Sequence, residues 1–471
     1  MKHRISFMLD QLCSPQATWI IIALGLICRL ALFAWLADTP LCIGDTAAYK
    51  ADAIRLLQGE SYLPYFPPGL PYYLAAFIRV LGDSDNTCRF AMVLLHIPFS
   101  LALLNVARCI VSRGSANLTL LIFAVYPSFI HLSVDPMSEM LAATLIVLLL
   151  ACMARVLRAA PATDESSSID KRSTWIMGIG LGVWGAALTL VRPASALLAG
   201  ALSCWASWRA RRPAIVVISL AILTAMLGVW LSKAHHMVGH FVPVNHANVR
   251  NLYLGNNPYT PLYRTWWFGS HLGGEPGVPP AFSAALQRIK DQPPVEQTPL
   301  FRQAALDHIL DRPDLFLVRT FSRIRVYFAF DSFTGGVFVK AYGFGKLGGA
   351  GLLAIEAICF TALLSLGVLN WVLLPTLSQE ANRIRWLLTL CILVYAAPYW
   401  VAFAHPRFHV PIVPLLALLG MQFLDTWRHT PPGTTRALLR ASRRRTATLI
   451  LALAFVLYIQ AEWAWVMSER L

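Results

Sequence analysis

The chain has 471 residues, of which 57% are hydrophobic and only 13% charged, with a mean hydropathy of +0.58. That balance excludes an ordinary water-soluble domain and describes an all-α chain that crosses a membrane many times. The formal net charge of +15 does not indicate nucleic-acid binding, because the basic residues collect in alternate short loops between apolar runs.

Apolar runs long enough to span a hydrocarbon core of roughly 30 Å occur near 17–37, 90–111, 116–132, 139–157, 213–232, 347–374, 386–404, 408–425 and 446–466. A further run from Trp175 to Trp208 reads as two short spans hinged at Arg192-Pro193, which brings the expected total to about eleven. The first run has a basic start and no small-residue cleavage site ahead of a soluble chain, so it reads as an uncleaved signal anchor. One alternating set of loops holds Lys2 and Arg4, Arg108 and Arg113, Arg155 to Arg172, Arg209 to Arg212, Arg383 and Arg385, and Arg428 to Arg445; these are the expected cytoplasmic loops. The chain then divides into an amino-terminal membrane module (1–232), an extracytoplasmic region (233–346) and carboxy-terminal spans (347–471).

Two long external segments follow from that orientation, at about 38–88 and 233–346. The first opens with Cys42-Ile43-Gly44-Asp45-Thr46-Ala47-Ala48-Tyr49, and a carboxylate such as Asp45 at a membrane boundary is a site hypothesis by default. Helical spacing over Ala47–Leu57 and again over Leu70–Leu81 predicts two interfacial helices. The rigid connection from Tyr62 to Leu70, including Pro67-Pro68-Gly69, would roof a cavity with Asp45 at its edge. Tyr49 and Tyr62 are its candidate substrate contacts. Cys42 and Cys88 both fall in this segment and would be able to pair in an oxidising compartment, whereas most other cysteines read as small apolar groups in spans.

Farther along, the loop Ser133–Glu139 carries Asp135 and Glu139 at the external level, where acids have no topological role, although helix capping also explains them. Arg192 lies at the same level. The second external segment carries His235, His236, His240 and His246 without the spacing of a metal site, then the turn Asn256-Asn257-Pro258, whose two asparagines are candidate substrate contacts. Helical periodicity returns from Leu300 to Phe330 with a break at Pro313, and Arg319 and Arg323 share one face able to hold an anion or to rest on lipid headgroups. Finally, His405-Pro406-Arg407-Phe408-His409-Val410-Pro411 pins Arg407 between prolines, an arrangement suited to bidentate phosphate capture, with His405 beside it.

Acids and guanidinium groups from several spans thus face one side of the membrane. The chemistry this suggests is sugar transfer from a polyprenyl-phosphate carrier, a carboxylate taking the acceptor proton while arginines stabilise the departing phosphate. In the order Gly44-Asp45-Thr46, Pro67-Pro68-Gly69, Asp135-Pro136 through Glu139, Gly255-Asn256-Asn257-Pro258, Arg312-Pro313 and Arg407-Phe408, the chain resembles the GT-C superfamily of integral-membrane glycosyltransferases. The resemblance covers nearly the whole chain and is to the group holding protein O-mannosyltransferases and lipid A aminoarabinose transferases. It implies Asp45 as general base with Asp135 in support, polyprenyl phosphate as leaving group, and inversion at the sugar carbon. The acceptor is a lipid, glycan or protein, and the donor sugar a hexose or pentose. The expected location is a bacterial inner membrane with the site facing the periplasm.

Two departures matter. Protein mannosyltransferases place an Asp-Glu pair where this chain has Asp45-Thr46, and the aminoarabinose enzymes carry Glu-Lys near Pro67-Pro68. Phosphate binding then falls to Arg407, Arg192 or the pair Arg319 and Arg323. Some members of the superfamily need a divalent cation, magnesium or manganese, and that point stays open here. A transporter or flippase of lipid-linked glycans, or a glycan polymerase or ligase, is the alternative reading. Against transport stand the lack of a halved repeat and the external position of the polar clusters.

Overall fold

The computed structural model describes residues 2–61, 64–158, 170–239, 244–245, 247–263, 278–374, 379–431, 433–440 and 442–468; among them there is no strand. In chain order the main helices are α1 (Pro15–Trp35), α2 (Gly44–Gln58), α3 (Gly69–Leu81), α4 (Asp85–Ile110), α5 (Arg113–Val125), α6 (Ser138–Cys152), α7 (Lys171–Val191), α8 (Ala196–Ala210) and α9 (Ala214–Val238). The segment 233–346 contributes α10 (Ala247–Gly255), α11 (Pro294–Asp311) and α12 (Pro313–Tyr327). The chain ends with α13 (Lys346–Leu373), α14 (Gln379–Val401), α15 (Val413–His429) and α16 (Arg443–Ser468).

Eight helices among the described residues are long and apolar enough to cross a membrane: α1, α4, α7, α9, α13, α14, α15 with the turn before it, and α16. This is a multi-pass membrane protein. The shorter apolar helices are α3, α5 and α6. Three of the eleven expected spans are not among these eight: the second half of Trp175–Trp208, which forms the 15-residue α8, and two runs that fall short for local reasons. The run 116–132 breaks at Tyr126-Pro127, after which only a single turn, Pro127–His131, continues; the run 139–157 breaks at Met153. The Trp175–Trp208 run divides as expected, with α7 stopping at Val191 and a tight turn over Pro193–Ser195 leading into α8. The helices expected at 47–57 and 70–81 form as α2 and α3, and Pro313 separates α11 from α12.

The break at Pro127 explains a charge that hydropathy conceals. Proline has no N–H to give the Phe123 carbonyl, and the Ser128 N–H turns instead to Glu356 on α13, at 3.2 Å. Arg29, fully buried in α1, fills the gap: its guanidinium donates to the carbonyls of Phe123 (3.1 Å) and Phe129 (3.4 Å), and to that of Gly25 one turn back (2.9 Å). A lone cation inside the bundle is thus held by helix-end carbonyls, the groups that lack donors of their own.

The segment 233–346 is fastened by the same device. Arg323 donates to the carbonyls of Gly255 (2.7 Å) and Trp400 and to Asn256 Oδ1 (3.3 Å), joining the end of α10 to the end of α14. The approach is so close that a Cβ on Gly255 would lie 1.7 Å from the Ala402 carbonyl oxygen. Gly255→Ala is therefore expected to force the two segments apart and cost about 1–3 kcal/mol, as overpacking does. Thermal unfolding in detergent, followed by size exclusion, measures it; an unchanged midpoint would mean that the contact is not made.

Candidate active site

Four polar side chains from four elements meet at the end of the bundle where α2 begins. Asp45 lies in the first turn of α2 and Glu139 in the first turn of α6, positions where exposed helix N–H groups favour a carboxylate. Arg192 caps the end of α7, and Arg407 sits in the short turn Pro406–Ile412 that leads into α15. Arg407 Nη2 is 3.2 Å from Asp45 Oδ2, while its Nε is 2.9 Å from Glu139 Oε1. Arg192 Nη2 reaches the same Glu139 oxygen at 2.7 Å. One acid therefore faces two arginines, and one arginine faces two acids.

Each member is fixed by its surroundings. The His405 side chain accepts the Arg407 backbone N–H at 3.1 Å, and the Arg407 guanidinium lies over the Phe333 ring at 4.4 Å. Arg192 lies over Phe408 at 5.6 Å. The Pro67-Pro68-Gly69 segment closes against the end of α7: a Cβ on Gly69 would stand 2.5 Å from Val191 Cγ2 and 2.8 Å from the Leu190 carbonyl carbon. Asp45 is held through α2, because Lys50 bridges Asp83 (2.9 Å) and Asp85 (2.8 Å) at the foot of α4. Those two acids outweigh burial and raise the Lys50 pKa. Thr46 donates its hydroxyl to the Ile43 carbonyl at 2.7 Å and so closes the turn that begins α2.

Tyr49 is one turn from Asp45 and nearly buried; its hydroxyl donates to Ser138 Oγ at 3.4 Å and its ring packs on Phe66. Burial raises its pKa, so it stays a neutral donor. Tyr62 lies outside the described residues, as do His240 and His246.

Asp135 is placed elsewhere than its expected partnership with Asp45 requires. It is buried against His131 (3.0 Å), Tyr342 and Arg89 (3.5 Å). Burial works to raise its pKa, but His131, Tyr342 and Arg89 hold it below the usual carboxylate value. Arg89 in turn donates to the carbonyls of Thr39 (2.7 Å) and Pro40 (3.3 Å), just ahead of Asp45. Asp135 thus braces the strand of chain that delivers Asp45, and the second acid at the cluster is Glu139. Sequence spacing alone did not separate the two, since they lie four residues apart in one loop.

Arg319 and Arg323 are likewise drawn inward. Arg319 donates to the Thr260 carbonyl and contacts His308 at 2.9 Å, and both arginines are buried. Asn256 Nδ2 donates to the Val401 carbonyl (3.0 Å) and Asn257 Nδ2 to that of Tyr253 (2.9 Å), so these side chains hold the turn together. Cys42 is exposed and Cys88 buried, and both are free thiols.

Among the described residues no three His, Cys, Asp or Glu side chains gather to hold a metal ion. The two acids of the cluster are bridged by Arg407, through Asp45 Oδ2 and Glu139 Oε1.

No protein-family model matches the chain, and no curated protein matches it. Among solved structures it is similar to the oligosaccharyltransferase AglB of Archaeoglobus fulgidus in complex with an inhibitory peptide and a dolichol-phosphate. The identity is 14%, over 94% of this chain and 54% of that one, with a TM-score of 0.45. It is also similar to the apo form of the oligosaccharyltransferase from Archaeoglobus fulgidus, at 14% identity over 94% of this chain and 55% of that one, with a TM-score of 0.47. The chain spans about half the length of these structures.

Proposed function

We propose that this protein is a GT-C-type glycosyltransferase that moves a hexose or pentose from a polyprenyl-phosphate carrier to an acceptor on the extracytoplasmic face. The observation that carries this reading is Arg407 set between Asp45 and Glu139, with Arg192 on the same glutamate. Two guanidinium groups at one point provide the bidentate donors that a phosphate takes, and Asp45 beside them is a base in reach of an acceptor. The carrier's prenyl tail would lie among the spans, so the large loops need hold only the sugar and the acceptor.

In the reaction the bond between the sugar's anomeric carbon and the phosphate oxygen breaks, and its electron pair leaves with the phosphate. A lone pair of the acceptor oxygen or nitrogen forms the new bond from the opposite side, which inverts that carbon, and the acceptor proton passes to Asp45. Arg407 and Arg192 stabilise the charge that grows on the phosphate. Asp135, through Arg89, positions the chain leading to Asp45.

Purified protein in liposomes, supplied with a panel of polyprenyl-phosphate hexoses and pentoses, tests the reading through release of polyprenyl phosphate and labelling of membrane acceptors. For Arg407→Ala, donor affinity is expected to fall at least about tenfold, the scale of a lost charged hydrogen bond. Unchanged affinity would remove the arginine from phosphate binding.

A further inference from the structure

The two acids of the cluster are not equivalent. Glu139 is sealed, with a side chain 1% exposed, whereas the Asp45 side chain is 38% exposed at the rim. The contacts also differ in number. Asp45 Oδ2 accepts a hydrogen bond from Arg407 Nη2. Glu139 Oε1 is faced by two guanidinium groups, Arg192 Nη2 at 2.7 Å and Arg407 Nε at 2.9 Å, whereas Asp45 is faced by one. Glu139 thus neutralises both arginines at short distance, while buried Arg192 Nε has no hydrogen-bond partner among the described residues. A buried guanidinium N–H without an acceptor is costly, and a further anion beside it would satisfy it.

We infer that Glu139 is the fixed positioning residue of a two-arginine phosphate cradle, and that Asp45 is an exchangeable plug in it which the donor phosphate displaces from Arg407. The inference rests on the proposed transferase reading and adds an order of events to it. Before the donor arrives, one Asp45 oxygen, Oδ2, is held by the Arg407 guanidinium. When the phosphate takes that place on Arg407, the carboxylate is released at the rim, free to accept a proton from an acceptor. The base is thus switched on by donor binding, which makes the donor the first substrate. Glu139 stays, because its side chain is sealed and it is the counter-charge that faces both Arg192 and Arg407.

The test measures binding of undecaprenyl phosphate to the full-length protein in detergent, with inorganic phosphate as a second probe. Removing the plug is expected to tighten binding: Asp45→Asn should lower the dissociation constant about threefold to tenfold, the size of a partly exposed ion pair. Asp45→Glu, which restores a carboxylate, should return it toward the wild-type value. Asp52→Asn, on the same helix but paired with Arg55 at 3.1 Å, controls for the loss of one negative charge and should leave binding unchanged. Equal affinity in wild type and Asp45→Asn, or equal tightening by Asp52→Asn, overturns the exchange while leaving the transferase reading in place. Tightening by Glu139→Gln with none by Asp45→Asn overturns the assignment of fixed and exchangeable acids. If wild-type protein fails to bind the lipid phosphate saturably, the transferase reading itself falls. Glu139→Gln is dispensable should it fail to fold, since the Asp45 and Asp52 arms decide the exchange.

Discussion

Glu139→Ala is expected to destabilise the protein by about 3–5 kcal/mol, the penalty for removing one partner of a buried ion pair. The cost arises from what is left behind. Arg192 and Arg407, both about 14% exposed, would face each other across an apolar gap with Phe333 and Phe408 against their planes. Asp45 alone cannot balance two guanidinium groups, and its rim position lets water compete for it. Loss of Glu139 should therefore show as a lower unfolding midpoint in detergent and as poor recovery of monodisperse protein. Asp135→Ala should behave differently, because it loosens Arg89 and the Thr39-Pro40 segment while leaving the arginine pair intact. A Glu139→Ala protein as stable as wild type would mean that the two arginines are solvated and the cradle is not closed.

Much of the architecture was legible because membranes impose simple rules. Runs of apolar residues located the spans, and the break at Arg192-Pro193 followed from a missing backbone donor. The helices α2 and α3 followed from spacing. Asp45, Arg192 and Arg407 were each recognised as costly groups at one level, and the structure brings all three together. What spacing did not settle was partnership. Asp135 and Glu139 share a loop, and only the positions of Arg89 and Arg407, distant in sequence, send one acid to a brace and the other to the cluster. Arg319 and Arg323 looked like an anion-binding face because helical spacing puts them together. Their carbonyl partners, Thr260, Gly255 and Trp400, come from other segments and could not be read from the helix. Arg29 was missed for the opposite reason: one cation barely lowers the hydropathy of a long span, and its purpose lies in carbonyls freed by Pro127 on another helix.

Asp45→Asn is expected to reduce transfer from a polyprenyl-phosphate sugar by about 10²–10⁴-fold, the usual contribution of a positioned general base. The side chain keeps its shape, and the helix keeps its start, since Thr46 and Ile43 close the turn without the carboxylate. Folding and membrane insertion should therefore be unaffected. The kinetic pattern separates a base from a residue that merely holds the donor. A lost donor contact raises KM, whereas here the exchange at Arg407 predicts a lower donor KM together with a collapsed kcat, the two moving in the same direction. Such a protein would hold its donor tightly and do nothing with it. Assays across donor concentration, with radiolabelled sugar and the protein in liposomes, give both constants. A wild-type kcat in Asp45→Asn would remove Asp45 as the base. A fallen kcat with a raised donor KM would keep Asp45 in the site as a donor ligand and transfer the base role to another group within reach of the acceptor.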